Sequence, residues 1–145
     1  GFSPEGVTPW IAVNPNYPSI NAEAVLADED SIFYHYQQLV ALRRGKLKDL
    51  MVYAAFAPVD SVQVPHNEDE AVYAYTRTGG ADGSPANESL LVVSNFTAEE
   101  QERDFAVLSE AREAGARVEL VSSNYKDDAG STLRPYEAKV YHIVR

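Results

Sequence analysis

The sequence contains no cysteine, which excludes a disulfide framework and thiolate metal sites. Its 12 lysines and arginines face 22 aspartates and glutamates, for a formal net charge of −10. That balance lacks the clustered cations a nucleic-acid partner requires, so no nucleic-acid role is expected. Long apolar runs are also missing. The longest, Leu50 to Val59, is ten residues, too short to cross a bilayer. The three histidines, His35, His66 and His142, show no His-x-His or His-x-x-x-His pairing that would concentrate metal ligands. The glycines at Gly79-Gly80 and Gly83 lack the helix and lysine of a phosphate loop. No metal and no cofactor is expected.

What is present supports a folded chain. A hydrophobic content of 45% with nine tyrosines is enough for a core. At 145 residues the chain has room for one ordinary domain and a piece of another. Its first 27 residues read as loop, because Pro9, Pro15 and Pro18 block both a helix and a central strand. Yet this loop carries Phe2, Trp10, Ile11, Val13 and Tyr17. A loop so apolar must lie on something, and no partner for it is evident further along. The chain therefore reads as the tail of a larger protein.

Asp28-Glu29-Asp30-Ser31 is a helix-start signal. Ile32, Tyr36, Leu39, Val40 and Arg43 then follow at helical spacing, with Phe33 widening the stripe. Gly45 suits a left-handed closing residue, and the pattern predicts a helix over 30–44. Beyond it the period becomes extended. Strands are expected at 50–59, 71–78, 90–93, 103–108, 116–121 and 138–144, with a loop of some helical character at 109–115. A flexible hairpin tip is expected from Gly79 to Pro85. One helix followed by short strands predicts an antiparallel sandwich. A chain shortened to start near Lys48 is expected to be at least as soluble as the whole, since it sheds the helix's apolar stripe.

Catalysis finds little to work with. The acid clusters Asp28-Glu29-Asp30, Glu68-Asp69-Glu70 and Asp127-Asp128 fall in turns or at a helix start, where solvated acids are usual. No catalytic residue is assigned. Asn87-Glu88-Ser89 and Asn95-Phe96-Thr97 match the glycosylation pattern, but Asn95 is better explained as the turn residue ending an apolar strand. Trp10 and Tyr17, with Phe2, are weak substrate-binding candidates, because sugar C–H faces stack on aromatic rings. Pinning their own loop is the simpler role. Tyr53, Tyr73, Tyr75, Tyr136 and Tyr141 could supply an aromatic platform, the feature a stand-alone carbohydrate-binding or interaction module would need.

Thr8-Pro9-Trp10-Ile11 with Val13-Asn14-Pro15-Asn16-Tyr17, Ile20-Asn21-Ala22-Glu23 and Asp30-Ser31-Ile32-Phe33 resemble the late part of the α-glucosidases of glycoside hydrolase family 13. The oligo-1,6-glucosidase, dextran glucosidase and sucrose isomerase group is the nearest in pattern. Leu90-Leu91-Val92-Val93-Ser94-Asn95-Phe96 and Leu133-Arg134-Pro135-Tyr136-Glu137-Ala138 are similar to strands of that family's small C-terminal domain. The resemblance implies that residues 1–46 are the last loop and helix of a (β/α)8 barrel. Residues 47–145 would be a mainly β, Greek-key-type antiparallel β-sandwich. It also implies a retaining α-glucosidase parent acting on short α-linked glucosides. The implied partners are the missing barrel and, through it, an oligosaccharide; a cytoplasmic location and no membrane partner are expected. The family's catalytic Asp and Glu lie on earlier barrel strands, so this chain by itself is expected to be inert.

Overall fold

The structure, a computed structural model, describes residues 3–80 and 84–145. Phe2 and the 81–83 part of the hairpin tip lie outside them. The chain forms two compact units, 1–40 and 41–145.

In the first unit, the loop ends earlier than its prolines suggest. Helix α1 (Ala22–Ala27) starts on Asn21, whose side-chain oxygen accepts the Ala24 N–H at 2.8 Å, and Glu23 sits at its positive end. Helix α2 (Ile32–Arg44) occupies the expected helical stretch. The acidic segment before it works differently from a simple cap. Asp28 Oδ1 accepts the Asp30 N–H at 3.0 Å, and the Ser31 hydroxyl donates to the Val25 carbonyl at 2.6 Å. The turn thus ties α1 to the start of α2. At the other end of α2, Gly45 donates to the Ala41 carbonyl at 2.8 Å but is not left-handed. Its requirement is steric, since a Cβ there would stand 2.7 Å from that carbonyl oxygen.

The second unit corrects two expected strands. The run from Leu50 divides into helix α3 (Lys48–Val52) and strand β1 (Ala55–Pro58). Leu47, Leu50 and Ala54 bury together with Leu90, at the three-to-four-residue spacing of a helical face. Three helices, not one, precede the sheet. Likewise the strand expected at 103–108 gives way to helix α4 (Ala106–Glu113). Phe105, Leu108 and Ala111 are buried at every third position, which a strand would send to alternating faces. Gly115 (φ 77°) closes α4. Its N–H bonds the Arg112 carbonyl and that of Ala116 bonds Ala111, the paired bonds of a left-handed helix end.

Strands β2 (Val72–Thr78), β3 (Glu88–Asn95), β5 (Arg117–Ser123) and β7 (Ala138–Val144) join β1 in an antiparallel sheet ordered β1-β2-β3-β7-β5. Two short strands, β4 (Gln101–Glu102) and β6 (Thr132–Leu133), pair as a separate ribbon. Alternation gives the sheet two faces. On the inner face Val72, Ala74, Leu91, Val93, Tyr141 and Ile143 form the main core with Phe105, Leu108 and Ala111 of α4 and Leu133 of the ribbon. The outer face meets α3 through Leu90 and Val140. The architecture is mainly antiparallel β with few helices.

Candidate functional site

The two sequence-level candidates sit on a well-defined turn. Asn14 Oδ1 accepts the Asn16 N–H, and the Tyr17, Ser19 and Ile20 amides bond back to Asn14 and Asn16 carbonyls. Asn21 Nδ2 returns to the Tyr17 carbonyl at 2.9 Å, so this turn delivers the chain into α1. The turn fixes backbone, not side chains. Trp10 is 96% exposed and Tyr17 49%, and neither ring packs on another among the described residues. The structure does not bring the two candidates together into a pocket. A second apolar surface follows on α2, where Ile32, Phe33, Tyr36, Gln37 and Val40 line a shallow groove, the first three and Val40 being exposed.

The acid clusters hold structure together. Asp69 accepts the Ala71 and Val72 N–H groups and a two-pronged contact from Arg103, at 2.7 and 3.2 Å. Burial pushes the Asp69 carboxyl up, but the Arg103 and backbone hydrogen bonds outweigh it and leave the pKa lowered. Asp127 bonds Arg134 at 2.8 Å. Asp128 accepts from Lys139 Nζ and the Tyr141 hydroxyl; burial again opposes these bonds and again loses, so its pKa is lowered. Burial likewise raises Tyr141, reinforced by the Asp128 carboxylate.

The histidines are separated. His66 pairs with Asp60 at 2.6 Å and His142 with Glu88 at 2.7 Å, while His35 lies on α2 beside the Tyr36 ring. Among the described residues no three His, Asp or Glu side chains converge as metal ligands, and no helix is long and apolar enough to cross a membrane. Asn95 is 3% exposed and donates to the carbonyls of Glu99, Arg134 and Leu133. It is a hub of the fold. Asn87 is exposed, its amide on the Arg145 carbonyl at 3.2 Å.

Of the five tyrosines that could form a platform, two meet. Tyr73 and Tyr75 lie on the outer face of β2 with centroids 5.9 Å apart, and Phe56 of β1, unnoticed in the sequence, adds a third ring 5.1 Å from Tyr75. The signal was there: Phe56 pairs with Arg77, two residues along β2 from Tyr75, hence on the same face. Tyr141 is buried, Tyr136 stands on a turn and Tyr53 follows α3. The ring planes incline by 40° and 42°, so the cluster is not flat.

Comparison with known proteins connects these features. Residues 1–53 match the family of α-amylase catalytic domains. The chain is 37% identical over 141 residues to an oligo-1,6-glucosidase of Bacillus cereus, covering 93% of this chain and 22% of the relative. It is 35% identical over 139 residues to a trehalose-6-phosphate hydrolase of Bacillus subtilis, covering 95% and 22%. The crystal structure of Bacillus licheniformis trehalose-6-phosphate hydrolase superposes with a TM-score of 0.78 at 34% identity, over 97% of this chain and 23% of that one. This chain belongs to glycoside hydrolase family 13, and these relatives are named as oligo-1,6-glucosidase and trehalose-6-phosphate hydrolase. It spans about a fifth of the length of the relatives it matches.

Proposed function

We propose that this chain is the carboxy-terminal part of an α-glucosidase that hydrolyses short α-linked glucosides, α-1,6 linkages among them. Residues 1–46 would close the catalytic barrel, and 47–145 would be its non-catalytic Greek-key β-sandwich domain. One observation carries this reading: the catalytic-domain match stops at residue 53, whereas similarity to whole glucosidases continues over 141 residues. The bare apolar side chains of Trp10, Ile11, Ile32 and Tyr36 support it, because such a surface in water favours a covering partner. Chemistry agrees, since Asp28, Asp69, Asp127 and Asp128 of the acid clusters are engaged in ion pairs and backbone bonds. A retaining mechanism with two carboxylates would come from the rest of the parent. A stand-alone sugar-binding module is the rival, and the inclined rings of Phe56, Tyr73 and Tyr75 give it no flat platform.

The test is an isomaltose hydrolysis assay on the 145-residue chain and on its full-length parent, with calorimetric titration of the chain alone. The parent is expected to turn over and the chain to do nothing. Turnover by the chain alone overturns the non-catalytic role, and saturable isomaltose binding by it moves the module to first place.

A further inference from the structure

The outer face of the five-stranded sheet is covered at one end only. There, Leu47, Leu50 and Ala54 of the α3 segment lie against Leu90, with Val140 and Val121 packed around them. At the other end the pairing register places Phe56, Tyr73 and Tyr75 side by side. Phe56 is 51% exposed and Tyr73 41%. Tyr75 between them is half-buried, and clustered rings left partly in water are costly, because aromatic side chains bury a large apolar surface when given a partner.

The kind of partner follows from the neighbouring positions. Tyr75 pairs across the ladder with Pro58 on one side and Val92 on the other, and Ala138 lies beyond Ser94 in the register of Tyr73. These positions carry no carboxylate or amide, and the cation beside the cluster, Arg77 opposite Phe56, already donates its Nε to the Leu50 carbonyl at 3.3 Å. A sugar site needs such groups at the rim to bind hydroxyls, and it needs a flat ring to stack on. An apolar protein surface needs neither. Continuity then indicates which protein. The element already lying on this face, α3, belongs to the stretch that matches the catalytic-domain family, residues 1–53, while about four-fifths of the relatives' length has no counterpart here.

We infer that the Phe56–Tyr73–Tyr75 cluster is a docking face for the catalytic portion of the same parent polypeptide. That portion extends the cover begun by α3 across the rest of the outer face. The inference rests on the proposed domain role and adds to it a contact region on the second unit.

Hydroxyl-radical footprinting read by mass spectrometry tests it on the full-length parent and on the 145-residue chain. Phe56, Tyr73 and Tyr75 are expected to label at least about fivefold more slowly in the parent. Phe96 and Tyr136, 66% and 61% exposed, serve as references and label alike in both. Equal labelling of the cluster, with Trp10 and Tyr36 protected in the parent, overturns this inference and leaves the domain role standing. Protection of neither region overturns both. Protection in the isolated chain that grows with its concentration identifies a second copy as the occupant, and protection that needs added isomaltose identifies a sugar; either result overturns the assignment. As a second readout, Tyr73→Lys with Tyr75→Lys removes ring packing in both forms and is expected to lower the melting temperature of the parent clearly more than that of the isolated chain. Equal effects in both overturn the inference.

Discussion

Lys139 Nζ lies 3.0 Å from Asp128 Oδ1, with the lysine side chain 1% exposed. The ammonium also donates to the carbonyls of Gly130 and Thr132 at 2.9 and 3.1 Å. An internal cation therefore gathers the 124–131 loop over the inner face of the sheet, much as a bound metal gathers oxygen ligands. A buried charge is tolerable only when all its donors are used, and here three oxygens use them. Lys139→Met keeps the apolar stem and removes the charge, leaving Asp128 without its cation and the Gly130 and Thr132 carbonyls without their donor. The variant is expected to lose about 3 kcal/mol of stability, read as a lower urea midpoint. In Lys139→Met/Asp128→Asn the second change should cost less than it does alone. Additive losses would show that the pair is not coupled.

Asn95 is the second hub. Besides its three donated bonds, its Oδ1 accepts the Thr97 N–H at 2.9 Å and the Thr97 hydroxyl at 2.8 Å. The amide supplies an NH2 with two donors beside a separate acceptor oxygen, which an ionised carboxylate cannot do. Asn95→Asp replaces the donor with an oxygen aimed at the carbonyls of Glu99, Leu133 and Arg134. A loss of about 3 kcal/mol is expected, with Asn95→Ala no worse than Asn95→Asp. Thermal unfolding of both variants checks the order. An Asn95→Asp variant that is as stable as the parent would remove the amide's assigned role.

Acid should weaken the second unit through the same cluster. Glu137 is fully buried. Burial raises its carboxyl, but the side-chain and backbone hydrogen bonds of Arg134 prevail and its pKa is lowered. Asp69 and Asp128 are lowered in the same way. Folded pKa values below the unfolded ones mean that the native state binds fewer protons. The stability these acids give is present above about pH 4 and lost as pH falls through the folded values. The urea midpoint should be level from about pH 7 to 5 and decline below about 4. Glu137→Gln should flatten that decline, and an unchanged slope would exclude Glu137 as a contributor.

Much of this fold was legible because strands β2, β3, β5 and β7 alternate or run apolar between turn residues. The misreadings have a common cause. Leu50–Val59 and Arg103–Leu108 are short apolar runs whose period is ambiguous, and tertiary burial decided them. The helix signs lay outside each run: Leu47 completes the α3 face, and Gly115 marks the end of α4. Asn21, read as one more loop polar residue, starts α1. At the candidate site the sequence placed Trp10 and Tyr17 in a loop correctly. Grouping Phe56 with Tyr73 and Tyr75 depended on strand register across 17 positions, which no local pattern carries.

The boundary of the second unit can be tested by shortening the chain. Starting at Lys48 removes Leu47, 1% exposed, and Leu42, which packs on the same cluster with Leu50, Ala54 and Leu90. The chemistry of that loss is two large-to-small core changes, each costing about 2–5 kcal/mol. A chain starting at Ala41 keeps both leucines and still sheds the exposed Ile32, Phe33, Tyr36 and Val40. The Ala41 form is therefore expected to unfold at a clearly higher urea concentration than the Lys48 form. It should also stay monomeric to a higher concentration than the 145-residue chain, since the apolar groove of α2 is gone. Urea titration and sedimentation velocity read these two outcomes separately. Equal urea midpoints would mean that Leu42 and Leu47 contribute nothing to the unit.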